Sequence, residues 1–313
     1  MSGAMPAAPP DFTAIVVAYE SEALMARCLG ALAGAAQERT VEAIVVDNGS
    51  RDATVARAAA ALDTPAWRGR GAIVPLGRNR GFAAAANAGA ARARGRLLVF
   101  VNTDAFAAPG ALDQVAAAIE APAPPSSGRV ALASPQLYHP DGRRQRTAPE
   151  WPPRRAPPQE PVDVAHLRGA FLAVAADAFA ALGGFDERFF FYLEETDLCL
   201  RAHGQGWRVL LVPGARVVHL GGATANRWRG RARVEHAAGR ALLARKHGLV
   251  APGALGALAD VGRTLGQALG AGAAAVLTLG LVPSLRARAA AALWVAAWRL
   301  RGRPDGWGLR PAD

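Results

Sequence analysis

VVDNGSRD, residues 45–52, is where the fold declares itself. An apolar, β-branched run stops at Asp47, Asn48-Gly49-Ser50 turns the chain, and Asp52 opens a stretch with helical spacing. A strand that ends on a carboxylate and hands over to a helix is half of a βαβ unit. Working outward, the same event recurs. Strand-like runs stand at Thr13–Ala18, Ala43–Val46, Ala72–Leu76, Leu97–Val101 and Val130–Ala133. Alanine-rich stretches with helical spacing separate them at Ser21–Ala36, Asp52–Leu62, Ala83–Arg94 and Gly110–Glu120. This alternation predicts an α/β fold, with right-handed crossovers and a mostly parallel sheet flanked by helices. Ligands of such sheets bind beyond the carboxyl ends of the strands. Asp47 falls there, and so does Asp104, the last residue of VNTD (Val101–Asp104).

Proline-rich sequence follows, at Pro122–Pro125 and again at Ala148–Pro161. Helices and inner strands do not run through such sequence, so both stretches read as loop. A strand at Ala170–Ala175, a helix at Asp177–Leu182, a helix opening at Glu194 and strands at Arg208–Val212 and Ala215–His219 complete the pattern. The chain therefore divides into a lead-in over residues 1–12, a catalytic α/β region over 13–225 and a helical region over 226–313. Within the last, Leu265–Val282 is 18 residues long without a charge, at the lower edge of transmembrane length. Its alanines and glycines make it only modestly apolar. An interfacial helix followed by the Arg/Trp-bearing Ser284–Leu300 fits as well, and so does a helix pair packed on protein.

Length and composition permit a large core: 313 residues, 51% of them hydrophobic. The formal net charge is +11 and nearly all of the positive charge is arginine, Lys246 being the only lysine. Compositional bias toward Ala, Arg, Gly and Pro is the leading explanation; the functional reading is attraction to anionic partners such as nucleotide diphosphates or acidic lipid headgroups. Nucleic acid is disfavoured, because the arginines are scattered and no ladder of stacking aromatics accompanies them. Cys28 and Cys199 lack a CxxC partner, so neither a disulfide framework nor a thiolate metal site is expected, and a reducing cytoplasm is the default.

Each candidate site residue has both a structural and a chemical reading. Asp47 can accept the imide N–H of uracil or thymine, with Gly49 letting backbone approach the base; DNGSRD would equally make an Asx turn. NRGFAAAANAG (Asn79–Gly89) joins a glycine turn to a helix start, whose free N–H groups favour an anion, and Arg80 flanks it. Asp104, after Asn102 and Thr103, offers a hard oxygen ligand suited to a divalent cation bridging two phosphates. In LEETDLCLR (Leu193–Arg201), Glu194, Glu195 and Asp197 crowd a helix start, where the macrodipole stabilises carboxylates. The aromatic run Phe189–Tyr192 before them is an apolar wall able to raise a carboxylate's pKa toward a general base's range. Asp197 and Arg201, four apart, read as an ion pair. His219 in VVHLGG offers a neutral imidazole as a second metal ligand.

Taken in order, IVVAYES, VVDNGSRD, NRGFAAAANAG, VNTD, RGAFLAV, GGFDERFFFYLEETDLCLR and VVHLGG resemble the inverting family 2 glycosyltransferases, especially rhamnosyltransferase-like and galactofuranosyltransferase-like members. The resemblance covers roughly Thr13–Gly222. It implies a GT-A fold, a nucleotide-diphosphate sugar donor (dTDP- or UDP-linked) and a Mg²⁺ or Mn²⁺ ion. It also implies a lipid-linked or cell-envelope glycan acceptor, met at the inner face of the cytoplasmic membrane by peripheral contact. On matching positions, Tyr19, Glu20, Asp47, Asn48, Gly49, Asn79, Arg80, Gly81, Phe82, Asn87, Asn102 and Thr103 would line the donor. Asp104 and His219 would hold the metal, Gly169, Ala170 and Asp197 would face the acceptor, and Glu195 or Glu194 would be the base. Two positions depart from the family pattern. The metal motif is Asn-Thr-Asp, with one carboxylate, and the base position carries Glu195 where Asp is common.

Two other readings stay open. A nucleotidyltransferase would need a phosphate-cradling glycine loop near the first strand, which IVVAYESEAL does not contain. A non-catalytic glycan- or nucleotide-binding scaffold is compatible with the single-carboxylate metal motif.

Overall fold

A computed structural model describes residues 8–122, 127–148, 157–222 and 229–249, with scattered helical positions between 262 and 297. The first four strands are β1 (Phe12–Ala18), β2 (Val41–Asp47), β3 (Gly71–Pro75) and β4 (Leu97–Asn102). They lie side by side in the order β3-β2-β1-β4, every pair parallel. β2 is buried at every position and β1 at all but one, as strands covered by helices on both faces must be. β3 is the edge strand, more exposed and ending in Pro75, whose missing N–H is tolerable there. Between them run α1 (Glu22–Ala33), α2 (Thr54–Leu62) and α3 (Phe82–Ala90).

Beyond β4 the parallel rule lapses. The remaining elements are β5 (Ala105–Ala107), α4 (Ala111–Glu120), β6 (Val130–Tyr138), β7 (Val162–Asp163), β8 (Phe171–Ala175), α5 (Ala176–Ala181), α6 (Glu194–Gly204), β9 (Arg208–His219) and α7 (Arg229–Lys246). β8 inserts antiparallel between β4 and β6, β6 pairs parallel with β9, and β5 and β7 pair antiparallel with β9. Among the described residues this makes a nine-stranded mixed sheet flanked by helices. β9 is one strand where the sequence suggested two. Its pairing with β6 shifts register between Pro135 and Gln136, so Pro213–Ala215 bulges rather than breaks the strand. β5 and β7, two or three residues long, are too short to leave a periodic signal.

The chain divides into two compact units, Met1–Glu187 with Glu194–Ala223, and Arg188–Leu193 with Thr224–Asp313. The first holds the sheet and its core of Phe12, Val16, Leu29, Leu112, Leu137 and Phe171. In the second, Val234 of α7 packs with Val295, and Tyr192 meets His236 edge-on at 5.7 Å. The aromatic run Phe189–Tyr192 thus belongs to the unit that contains α7. Most of Leu265–Val282 and of Ala148–Pro161 lies outside the described residues. Among those described, no helix is long and apolar enough to cross a membrane.

Candidate active site

At the carboxyl end of β2, Asp47 accepts a hydrogen bond from the Ser50 N–H at 3.2 Å, the Asx turn that the sequence allowed. Asn48 then ties two turns together. Its Nδ2 donates to Asn79 Oδ1 (3.0 Å) and the Gly81 carbonyl (3.1 Å), and its Oδ1 accepts from the Arg80 N–H (2.8 Å). Asn79 Oδ1 also accepts from the Gly81 N–H at 2.9 Å. The DNGS and NRG turns therefore form one rigid corner. Gly49 is required there on two counts: its φ is +82°, and a Cβ would lie 2.7 Å from the Arg78 backbone.

The turn after β1 joins the same corner. Glu20 takes a left-handed backbone (φ 49°), its N–H donates to Ser50 Oγ, and its carboxylate accepts from the Arg51 N–H. Ser21 Oγ donates to the Tyr19 carbonyl at 2.9 Å and accepts from Thr103 Oγ1 at 3.1 Å. Tyr19, Glu20, Asp47–Gly49, Asn79–Phe82 and Thr103 are in this way linked at one end of the parallel strands. Asn87 is not among them. Its carboxamide donates to the Phe185 carbonyl and accepts from the Phe185 N–H, both at 2.9 Å, which pins the turn before Glu187 to α3. The same Nδ2 also donates to Glu187 Oε1 at 3.1 Å.

Asp104 follows β4 directly, and the pairing of Ala105 with His219 in β5 and β9 brings His219 to it. His219 Nε2 lies 3.4 Å from Asp104 Oδ1, and both side chains are buried. Beneath this corner Cys28 is a poor ligand: burial and the Asp104 charge push its thiol up to about 12. Among the described residues no group of three or more His, Cys, Asp or Glu gathers as a metal cage.

The acidic helix joins through β8. The Asn102 N–H donates to the Ala170 carbonyl at 3.0 Å, and a Cβ on neighbouring Gly169 would sit 3.3 Å from Glu195 Cγ. Gly169 thus leaves room for the Glu195 side chain beside the end of β4. The two glutamates differ sharply. Glu194 is buried and its Oε2 meets no partner among the described residues, so desolvation and the adjacent Glu195 charge push its carboxyl well above the usual range. Glu195 is half-buried. Tyr192 and Leu193, just ahead of them, both carry left-handed backbone (φ 74° and 73°), strain that proteins keep at few places. Asp197 is fully buried and accepts from Arg201 Nε at 2.8 Å. Arg201 also donates to the Leu182 and Gly184 carbonyls. The pair ties α6 to the turn that follows α5. Ser21 escaped the sequence reading, because a lone polar residue in a loop has no periodicity or spacing to mark it.

Turns bound into one corner at the carboxyl ends of parallel strands, with a carboxylate–imidazole pair beside it, stand where an open α/β sheet binds its ligands. The glycosyl transferase family 2 model matches residues 13–171, and the chain belongs to that family; it is a glycosyltransferase. It is 30% identical over 243 residues, 66% of this chain and 74% of the relative, to N-acetylglucosaminyl-diphospho-decaprenol L-rhamnosyltransferase of Mycobacterium tuberculosis. Succinoglycan biosynthesis protein ExoO of Rhizobium meliloti is 34% identical over 148 residues, 47% of this chain and 40% of that protein. Among solved structures, mannosyltransferase PcManGT from Pyrobaculum calidifontis, in complex with GDP-Man and Mn²⁺, superposes with a TM-score of 0.58. That match is 17% identical and covers 94% of this chain and 88% of the other. The nucleotidyltransferase and scaffold readings give way to the transferase.

Proposed function

We propose that the protein transfers a sugar, with inversion, from a dTDP- or UDP-linked donor to a hydroxyl of a lipid-linked or cell-envelope glycan. The observation that carries this reading is the approach of His219 to Asp104 at the strand end next to the Asp47–Asn48 corner. The name of the mycobacterial relative supports rhamnose and a lipid diphosphate acceptor. The +11 charge supports a peripheral position at an anionic membrane face.

Asp47 would receive the pyrimidine imide N–H, and the Asn79–Phe82 turn would line the donor, its geometry held by Asn48. Asp104 and His219 would hold Mg²⁺ or Mn²⁺. A carboxylate oxygen and an imidazole nitrogen 3.4 Å apart suit such ions, and the missing ligands match the oxygens of a diphosphate. When bound, the ion supplies positive charge to the departing diphosphate. Glu195 acts as the base: it is only half-buried and can meet an incoming hydroxyl, whereas Glu194 is buried and burial pushes its carboxyl well above the usual range, disfavouring the charged form. Glu195 takes the hydroxyl proton as the acceptor oxygen bonds to the anomeric carbon. The bond from that carbon to the diphosphate breaks on the opposite face, so the configuration inverts.

Calorimetric titration with dTDP, UDP and GDP, each with Mn²⁺ or with EDTA, tests the donor half. Metal-dependent binding of one pyrimidine diphosphate is expected in the wild type and its loss in Asp104→Ala. Equal binding of all three with EDTA present would sink the assignment of base and metal together.

A further inference from the structure

The loop after β6 folds back along its own strand. Gly142 turns with φ +83°, the His139 N–H donates to the Arg143 carbonyl, and the Gln145 N–H donates to the Leu137 carbonyl. Thr147 Oγ1 fastens the return by accepting from the Leu137 N–H at 2.9 Å and from Gln136 Nε2 at 3.0 Å. Tyr138 pairs with Val218, so this return delivers Gln145 to the end of β9, where its side chain is buried against His219.

The orientation of the Gln145 amide is decided by its surroundings. Nε2 faces the carbonyl oxygens of His219 (2.5 Å) and Tyr138 (3.4 Å), both of which require a donor. Turning the amide over would set oxygen against oxygen. Oε1 therefore faces His219 Nδ1, at 3.0 Å, and a glutamine oxygen can only accept. Nδ1 of His219 must carry a proton. In the neutral ring this leaves the lone pair on Nε2, the nitrogen that lies 3.4 Å from the Asp104 carboxylate.

We infer that Gln145 is a positioning residue: it fixes His219 in the Nδ1–H tautomer and so turns the Nε2 lone pair toward a cation shared with Asp104. The inference rests on the metal reading above, and adds the residue that makes His219 a ligand rather than a second donor. With two protein ligands at this site, ring tautomer is a large part of what the protein contributes to affinity. Outer partners of a ligating histidine typically change metal affinity about 10–100-fold.

Two measurements on the full chain separate the layers. Nitrogen-15 NMR of the metal-free wild type, above the titration range of the imidazole, reads the His219 tautomer directly. Mn²⁺ titration by electron paramagnetic resonance, with UDP or dTDP present, reads affinity in the wild type, Gln145→Met and Gln145→Glu. The methionine variant keeps the volume but no acceptor, whereas the glutamate variant keeps an acceptor for Nδ1–H and loses the amide donor. The expected result is Nδ1–H in the wild type and in Gln145→Glu, which still offers Nδ1 an acceptor, and a shift toward Nε2–H in Gln145→Met with Mn²⁺ affinity about 10–100-fold lower. A wild type in the Nε2–H form overturns the proposal without any variant. So does equal loss of affinity in both variants with the tautomer unchanged, which would make Gln145 a packing residue. A wild type that holds the Nδ1–H form yet binds no Mn²⁺ with either nucleotide overturns the metal reading, while the tautomer shift in Gln145→Met is still scored separately.

Discussion

The parallel half of the sheet, β3-β2-β1-β4, and the mixed half, β8-β6-β9-β5, build their parts of the site in different ways. In the parallel half, short turns at strand ends do the work. Asn48 reaches Asn79 and Gly81, some thirty residues away, because β2 and the turn before α3 are neighbours in one βαβ succession. In the mixed half the groups come from far apart: Gln145 meets His219 across 74 residues, and Ala170 meets Asn102 across an antiparallel pair. The parallel half thus makes a stiff corner from backbone, amides and strand-end carboxylates, and the mixed half adds His219 and Glu195 from distant segments. Binding and chemistry should be separable by mutation along the same line.

The sharpest way to break that separation is Glu195→Gln. Transfer should fall about 10²- to 10⁴-fold, the usual contribution of a positioned base, while nucleotide binding stays at the wild-type value. Transfer kinetics and calorimetry on one preparation check this; loss of nucleotide affinity alongside transfer would show the halves to be coupled.

Next in size is Gly49→Ala, which probes the stiff half. A left-handed backbone costs a non-glycine residue about 1–3 kcal/mol, and the new Cβ would lie 2.7 Å from the Arg78 backbone. Urea unfolding should show a loss of about 3 kcal/mol, and nucleotide affinity should drop as the DNGS turn moves off the NRG turn. Unchanged stability would mean that the corner is soft and that Asn48 alone holds it.

The smallest effect concerns Glu194 and depends on pH. Its carboxyl is pushed well above the usual range in the fold, so between the ordinary glutamate pKa and the raised folded value the folded chain holds a proton that the unfolded chain releases. Its contribution to stability is fully present below the ordinary glutamate pKa and is lost as pH rises through the raised folded value. The slope is at most about 1.4 kcal/mol per pH unit for one proton. Glu194→Gln should abolish that slope and melt higher than wild type at alkaline pH, with little difference in acid; thermal melts across pH check both arms. A wild-type slope that survives the substitution would assign the proton to another group.

Much of the parallel half is legible in the sequence. Asp47 and Asp104 stand at the ends of β-branched runs, and a parallel sheet puts such ends on one edge. The mixed half was legible only as motifs. LEETDLCLR announced carboxylates, yet three acids within four residues cannot say which one faces solvent. Burial decided that, placing Asp197 against Arg201, Glu194 in the interior and Glu195 half-exposed. Asn87 sits inside a motif, yet the partner of its amide is a turn nearly a hundred residues away, which no local spacing announces.

By itself, then, the order of amino acids determined the alternation of strands and helices, the carboxylates at strand ends and the family to which they point. Hydrophobic period and turn chemistry are local, and local spacing survives in a linear string. Tertiary structure alone decided the antiparallel insertion of β8, the single bulged β9, the 3.4 Å meeting of Asp104 with His219 and the amide of Gln145 on its far side. Those depend on which strands pair and in what register, and register is chosen by burial of the whole sheet rather than by any one segment.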